Sequence, residues 1–185
     1  MNAPHILLVD DDAALLQALP HMIALRMHGV TVDTADSAIE ALEYIRLHDY
    51  DAIVSDIKMP GMDGLELLAR IREIRPQTPT LLITGHLDQT LLIEAMKNGA
   101  YDFIQKPIDR VYFVAALHRA IQTRQLQHQV WKQQQLLGSY VQVLEQMVEQ
   151  NPDKLPAATG SLITRDLVPG GKQSAPFQPP IWLVS

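Results

Sequence analysis

Over residues 5–125, short apolar runs alternate with amphipathic stretches five times, and no other feature restricts the fold as tightly. His5–Val9 (HILLV) is an apolar run of the kind that forms a buried strand. Ala13–His28 carries Leu15, Leu16, Leu19, Ile23 and Met27 at helical spacing, and Pro20 inside it predicts a kink or a loosened turn. Val30–Thr34 alternates as a strand does. Ser37–His48 has the pattern of a second helix, with Asp36 as its expected N-cap. The rhythm then repeats. Strands are expected at Ala52–Ser55, Thr80–Thr84 and Tyr101–Gln105. Helices are expected at Leu65–Ile74, at Gln89–Lys97 with Asn98-Gly99 as its C-cap, and from Arg110 onward.

Five strand–helix units at such short spacing predict an α/β fold, a doubly wound parallel sheet with helices on both faces. Ligands of such sheets bind outside the carboxyl ends of the strands. Asp10, Asp11, Asp56, Thr84 and Lys106 all lie at strand ends, so the topology gathers them at one edge. Three carboxylates there repel one another, and a hard divalent cation with oxygen ligands offsets that. Mg2+ suits the set, since it is usually held by one or two carboxylates, waters and phosphate oxygens. Taken alone, Asp10-Asp11-Asp12 reads as a helix cap, which is the role expected of Asp12. With Asp56 at the adjacent strand end, the metal reading of Asp10 and Asp11 prevails. A carboxylate so placed can attack a phosphoryl group. Lys106 offers a compact positive charge to a phosphoryl oxygen, and Thr84 offers a hydroxyl donor. Each is ordinary by itself; only the joint placement points to chemistry.

Charge and composition narrow the function further. A net charge of −6 argues against a nucleic-acid groove, which needs a basic stripe. The absence of cysteine removes disulfides and thiolate chemistry. The start, MNAPHILLVDDD, lacks the pattern of a signal peptide, and no stretch is long and apolar enough to span a bilayer. A cytoplasmic location is the expectation.

The last third is different. Residues 126–150 are rich in Gln, and Val130, Leu137, Val141, Leu144 and Val148 form a short heptad seam with Gln134 in the missing slot. The expectation is an extended C-terminal helix that pairs two chains as a coiled coil, against the alternative of a helix folded back on its own domain. Residues 151–185 are rich in Pro, Gly, Ser and Thr, which predicts disorder, and they end on the apolar IWLVS.

Four separated motifs carry a family resemblance: ILLVDDD, VSDIKMPGMDGLELL, LLITGH and GAYDFIQKPID. In this order and spacing, the stretch over residues 1–125 resembles the receiver domain of bacterial two-component response regulators, and it looks most like receivers of nitrogen-regulation-type activators. The resemblance implies a flavodoxin-like sheet in the order 2-1-3-4-5. It implies Asp56 as phosphoacceptor. A Mg2+ or Mn2+ site would use Asp10, Asp11, Asp56 and the backbone carbonyl of Lys58. Thr84 and Lys106 would contact the phosphoryl group, and Phe103 would be the switch aromatic. Lys58 and His86, each two residues beyond a site residue, would flank the attacking water and tune the lifetime of the phosphorylated state. For both, an ordinary solvated side chain is an equal alternative, and Phe103 has the alternative of a plain core residue. The implied partners are a sensor histidine kinase and an unidentified output partner.

Two other readings compete. A metal-dependent aspartyl-phosphate phosphatase usually needs an acid two residues after its nucleophile, and Lys58 stands there. A structural pseudo-receiver is disfavoured because all five site positions hold competent residues. No helix-turn-helix with a basic patch and no Walker motif follows the fifth helix.

Overall fold

The computed structural model describes residues 3–85 and 89–150. Five parallel strands lie in the order β2-β1-β3-β4-β5. They are β1 (His5–Val9), β2 (Thr31–Ala35), β3 (Ala52–Asp56), β4 (Thr80–Thr84) and β5 (Asp102–Gln105). The helices are α1 (Ala13–Arg26), α2 (Ala38–Leu47), α3 (Gly64–Ile74), α4 (Gln89–Lys97) and α5 (Arg110–Gln150). Every expected element is present, most within a residue or two of its expected ends.

Strand pleating divides the core. Side chains alternate across a strand, so Ile6 and Leu8 pack with Leu19 and Ile23 of α1 and Phe113 and Leu117 of α5. Leu7 and Val9 turn to the other face and meet Ala41 and Ile45 of α2 and Leu67 and Ile71 of α3. The central strands β3 and β4 are buried along their whole length. That is why both read as continuous apolar runs instead of alternating ones.

Local signals explain the helix ends. Asp12 caps α1, accepting from the backbone N–H groups of Ala14 and Leu15, and Asp63 caps α3 through Glu66 N–H. Gly99 takes a positive φ of 86° after α4, and Ala100 N–H returns to the Ala95 carbonyl, as a helix-ending turn requires. The N-cap of α2 corrects the expectation: it is Ser37, whose hydroxyl accepts from Glu40 N–H. Asp36 instead donates its backbone N–H to the Glu40 carboxylate, which reaches back one residue beyond the cap. Helix α1 continues through Pro20 from Ala13 to Arg26.

By internal contacts the chain divides after Gln134. Among the described residues no helix is long and apolar enough to cross a membrane. The expectation of a disordered tail over 151–185 lies outside the described residues, as does His86.

Candidate functional site

The carboxyl ends of β1, β3 and β5 bring three charged side chains together. Lys106 Nζ lies 2.7 Å from Asp56 Oδ1 and 3.1 Å from Asp10 Oδ2, so the ammonium at the end of the fifth strand bridges two carboxylates at the ends of the first and third. Asp10 and Asp56 are buried, at 2% and 4% exposure, whereas Asp11 is exposed. The remaining carboxylate oxygens are held by backbone: Asp10 Oδ1 accepts from Asp12 N–H at 2.8 Å, and Asp56 Oδ2 accepts from Lys58 N–H at 2.8 Å.

Backbone geometry fixes these positions. Asp56 ends β3, opposite Ile83 in the β4 register, and Ile57 N–H extends that pairing to the Ile83 carbonyl. The chain then loops through Pro60 and Gly61, the latter at a φ of 79°, and closes where Gly64 N–H donates to the Ile57 carbonyl. Gly64 sits so close to β3 that an added Cβ would collide with the Asp56 carbonyl oxygen and stand 2.8 Å from Ile57 Cα. Sequence reading missed Gly64. The signal was the second glycine of MPGMDG, at a helix start where a side chain is normally tolerated. At the other edge, Lys106 N–H donates to the Thr84 carbonyl at 2.7 Å, tying β5 to β4 where Thr84 is buried.

Electrostatics follow from burial. Burial raises the Asp10 pKa above its ordinary value, against the pull of its hydrogen bonds to Asp12 and Lys106. Burial works against the Lys106 ammonium too, yet its hydrogen bonds to Asp56 and Asp10 outweigh that and raise its pKa. The more deeply buried acid carries the desolvation, and the half-exposed lysine collects the benefit of pairing.

Of the other expected site residues, Lys58 contributes its backbone N–H to Asp56 while its side chain is exposed. Phe103 is half-buried against the cluster of Ile57, Leu65, Leu68 and Leu82.

Two buried carboxylates against one ammonium leave an excess negative charge, and every side-chain donor is oxygen. Among the described residues, no three acidic or imidazole side chains are arranged as a ready cage for a metal. Mg2+ does not need one, because it binds through one or two carboxylates and keeps several waters. The donor chemistry therefore fits a hard cation.

With this geometry in place, similarity to known proteins decides the family. Residues 6–118 match the response regulator receiver domain. The chain belongs to that family. Its members work in two-component signalling with histidine kinases, are phosphorylated on aspartate, and generally bind Mg2+ in an acidic pocket. The receiver is 40% identical over 124 residues to the C4-dicarboxylate transport transcriptional regulatory protein DctD of Rhizobium meliloti, covering 67% of this chain and 26% of that protein. It is 39% identical over 121 residues to the DNA-binding transcriptional regulator NtrC of Escherichia coli, covering 65% and 25%. It is 40% identical over 118 residues to the transcriptional regulatory protein FixJ of Bradyrhizobium diazoefficiens, covering 63% and 56%. The receiver thus spans about a quarter of the first two relatives and about half of the third. Among solved structures, the signal receiver domain of an HD domain-containing protein from Pseudomonas fluorescens superposes with a TM-score of 0.65 at 32% identity, covering 70% of this chain and 94% of that one.

Proposed function

We propose that Asp56 is the phosphoryl acceptor of this receiver, with Asp10, Asp11, Asp56 and the Lys58 carbonyl as the groups that hold Mg2+ or Mn2+. The observation that carries the reading is the Lys106 ammonium seated 2.7 Å from a buried Asp56 carboxylate that ends a central strand. An Asp56 oxygen attacks phosphorus of a kinase phosphohistidine. The P–N bond breaks, its electron pair returns to the imidazole, and an acyl phosphate forms. The cation, when bound, neutralises phosphoryl charge. Lys106 supplies positive charge to one phosphoryl oxygen, and Thr84, which ends the neighbouring strand, donates its hydroxyl to another. Phe103 follows Thr84 as the aromatic that reports the state, and Lys58 and His86 set its lifetime. The chain acts on itself and not on outside substrates, because Lys58 stands where a phosphatase carries its acid.

In this reading residues 1–125 are the receiver and residues 126–150 self-associate, giving the switch an oligomeric output in the cytoplasm alongside its kinase and an output partner. Incubation with acetyl phosphate and Mg2+, followed by intact mass measurement, tests the acceptor. The wild type gains an acid-labile phosphoryl adduct and Asp56→Asn does not. An adduct of equal yield on Asp56→Asn removes Asp56 from the role.

A further inference from the structure

The C-terminal part of α5 carries an apolar face wider than a two-stranded coil uses. Leu136, Leu137, Tyr140, Val141, Val143, Leu144 and Met147 are each between 51 and 64% exposed. The sequence seam through Leu137, Val141, Leu144 and Val148 accounts for only half of this face. A second seam, Leu136, Tyr140, Val143 and Met147, runs beside it at spacings of four, three and four.

Placed on one heptad, Leu137 and Leu144 are at a, and Tyr140 and Met147 at d. The flanking g positions are Leu136 and Val143, and the flanking e positions are Val141 and Val148. At about 100° per residue, these eight positions cover an arc of about 160°. Gly138, Ser139, Gln142, Glu145 and Gln146 occupy the rest of the turn, and no polar residue interrupts the apolar arc.

A two-stranded coil buries the a and d stripe and leaves e and g to charged residues that set the pairing. Here e and g hold no charge from 136 to 148. A helix in a four-helix bundle meets two neighbours about 90° apart, so it needs apolar residues on both flanks of the stripe. Area points the same way. Four a and d side chains per helix, at about 100 Å² each, bury roughly 800 Å² in a pair, short of the roughly 1,200 Å² or more of a specific interface. The heptad repeat itself selects the occupant. A 3.5-residue repeat is what helices of equal pitch need to stay in register, whereas a short apolar segment laid across the face would need no repeat. Like copies also meet without repulsion, since the only charges from 136 to 148 are on Glu145, at the polar side.

We propose that the 136–148 segment of α5 is the core of a parallel or antiparallel four-helix bundle made by four copies of this chain. The inference rests on the self-association reading above and fixes its number.

Sedimentation equilibrium of the full chain across micromolar concentrations tests it, with Val141→Glu and Val143→Glu as probes of the e and g positions. The expected wild-type mass at the upper concentrations is four times the 20.7 kDa of the chain. Both variants are expected to fall to smaller species while keeping the acetyl phosphate adduct on Asp56, which shows that the receiver is still folded. A two-chain mass that both variants preserve overturns the bundle and leaves self-association intact. A single-chain mass throughout overturns both, whether the face is then covered by residues 151–185 or by another protein.

Discussion

Without the Lys106 ammonium, Asp10 and Asp56 would face each other as buried carboxylates with only backbone N–H groups to answer them. Lys106→Met is therefore expected to lower stability by about 1–3 kcal/mol at neutral pH, toward the lower end because the lysine side is open to solvent. It is also expected to slow adduct formation from acetyl phosphate by about tenfold or more. Urea unfolding and time-resolved intact mass read the two effects separately. Glycine gives a sharper contrast, since one swap at two sites has opposite signs. Gly64→Ala forces a Cβ into the Asp56 carbonyl and should cost about 3 kcal/mol or more, with Asp56 displaced. At Gly138, in mid-helix, nothing lies within 4 Å of the added carbon, so Gly138→Ala should gain about 0.5–1 kcal/mol of helix stability. Equal melting shifts for the two would contradict the close approach at Gly64. The charged residues of the site were legible in the sequence because strand ends in a parallel sheet share one edge. Gly64 was not, because its constraint comes from backbone eight residues away and not from its neighbours.

Among elements, the connection between α2 and β3 holds a residue that pattern reading passed over. Tyr50 is buried in the loop before β3, donates its hydroxyl to Asp33 of β2 at 2.8 Å, and stacks obliquely on His5 with ring centroids 4.5 Å apart. Sequence periodicity says nothing of it, since it lies outside any repeating element. Burial, then the Asp33 carboxylate, pushes its pKa well above that of an ordinary tyrosine. The neutral form is favoured in the folded state. The contribution to stability is thus complete below pH about 10, the ordinary tyrosine value, and is lost as pH rises toward the higher folded value. Tyr50→Phe should cost about 1 kcal/mol at pH 7, and the difference from wild type should shrink above pH 10. Denaturant titrations at pH 7 and pH 11 measure it. The α2 cap teaches a related lesson. Asp36 and Ser37 are both competent caps, and the choice fell on the residue whose hydroxyl reaches Glu40 N–H after β2 ends at Ala35. Composition cannot separate adjacent candidates; the exit point of the strand does.

At the scale of the molecule, the βα rhythm carried the topology, and the family match extends to residue 118. The C-terminal helix was only half legible. Tracing the valines and leucines at seven and four found one seam, and it missed the neighbour because Tyr140 and Met147 are weak hydrophobic markers. The division after Gln134 makes its own prediction. A chain ending at Gln134 should unfold in one cooperative transition and take the phosphoryl adduct at a rate within about twofold of the full chain, as separate domains do. Calorimetry with the mass assay checks this, and loss of cooperativity would place the boundary elsewhere.

The bridge from Lys106 to Asp10 links positions 96 residues apart. During synthesis, Asp10 and Asp56 leave the ribosome long before the lysine that balances them. Until β5 docks, a growing chain holds the two acids without their counterion. The charge balance of this site therefore arrives only with the last strand of the sheet, and a chain cut short before it keeps two buried acids unanswered.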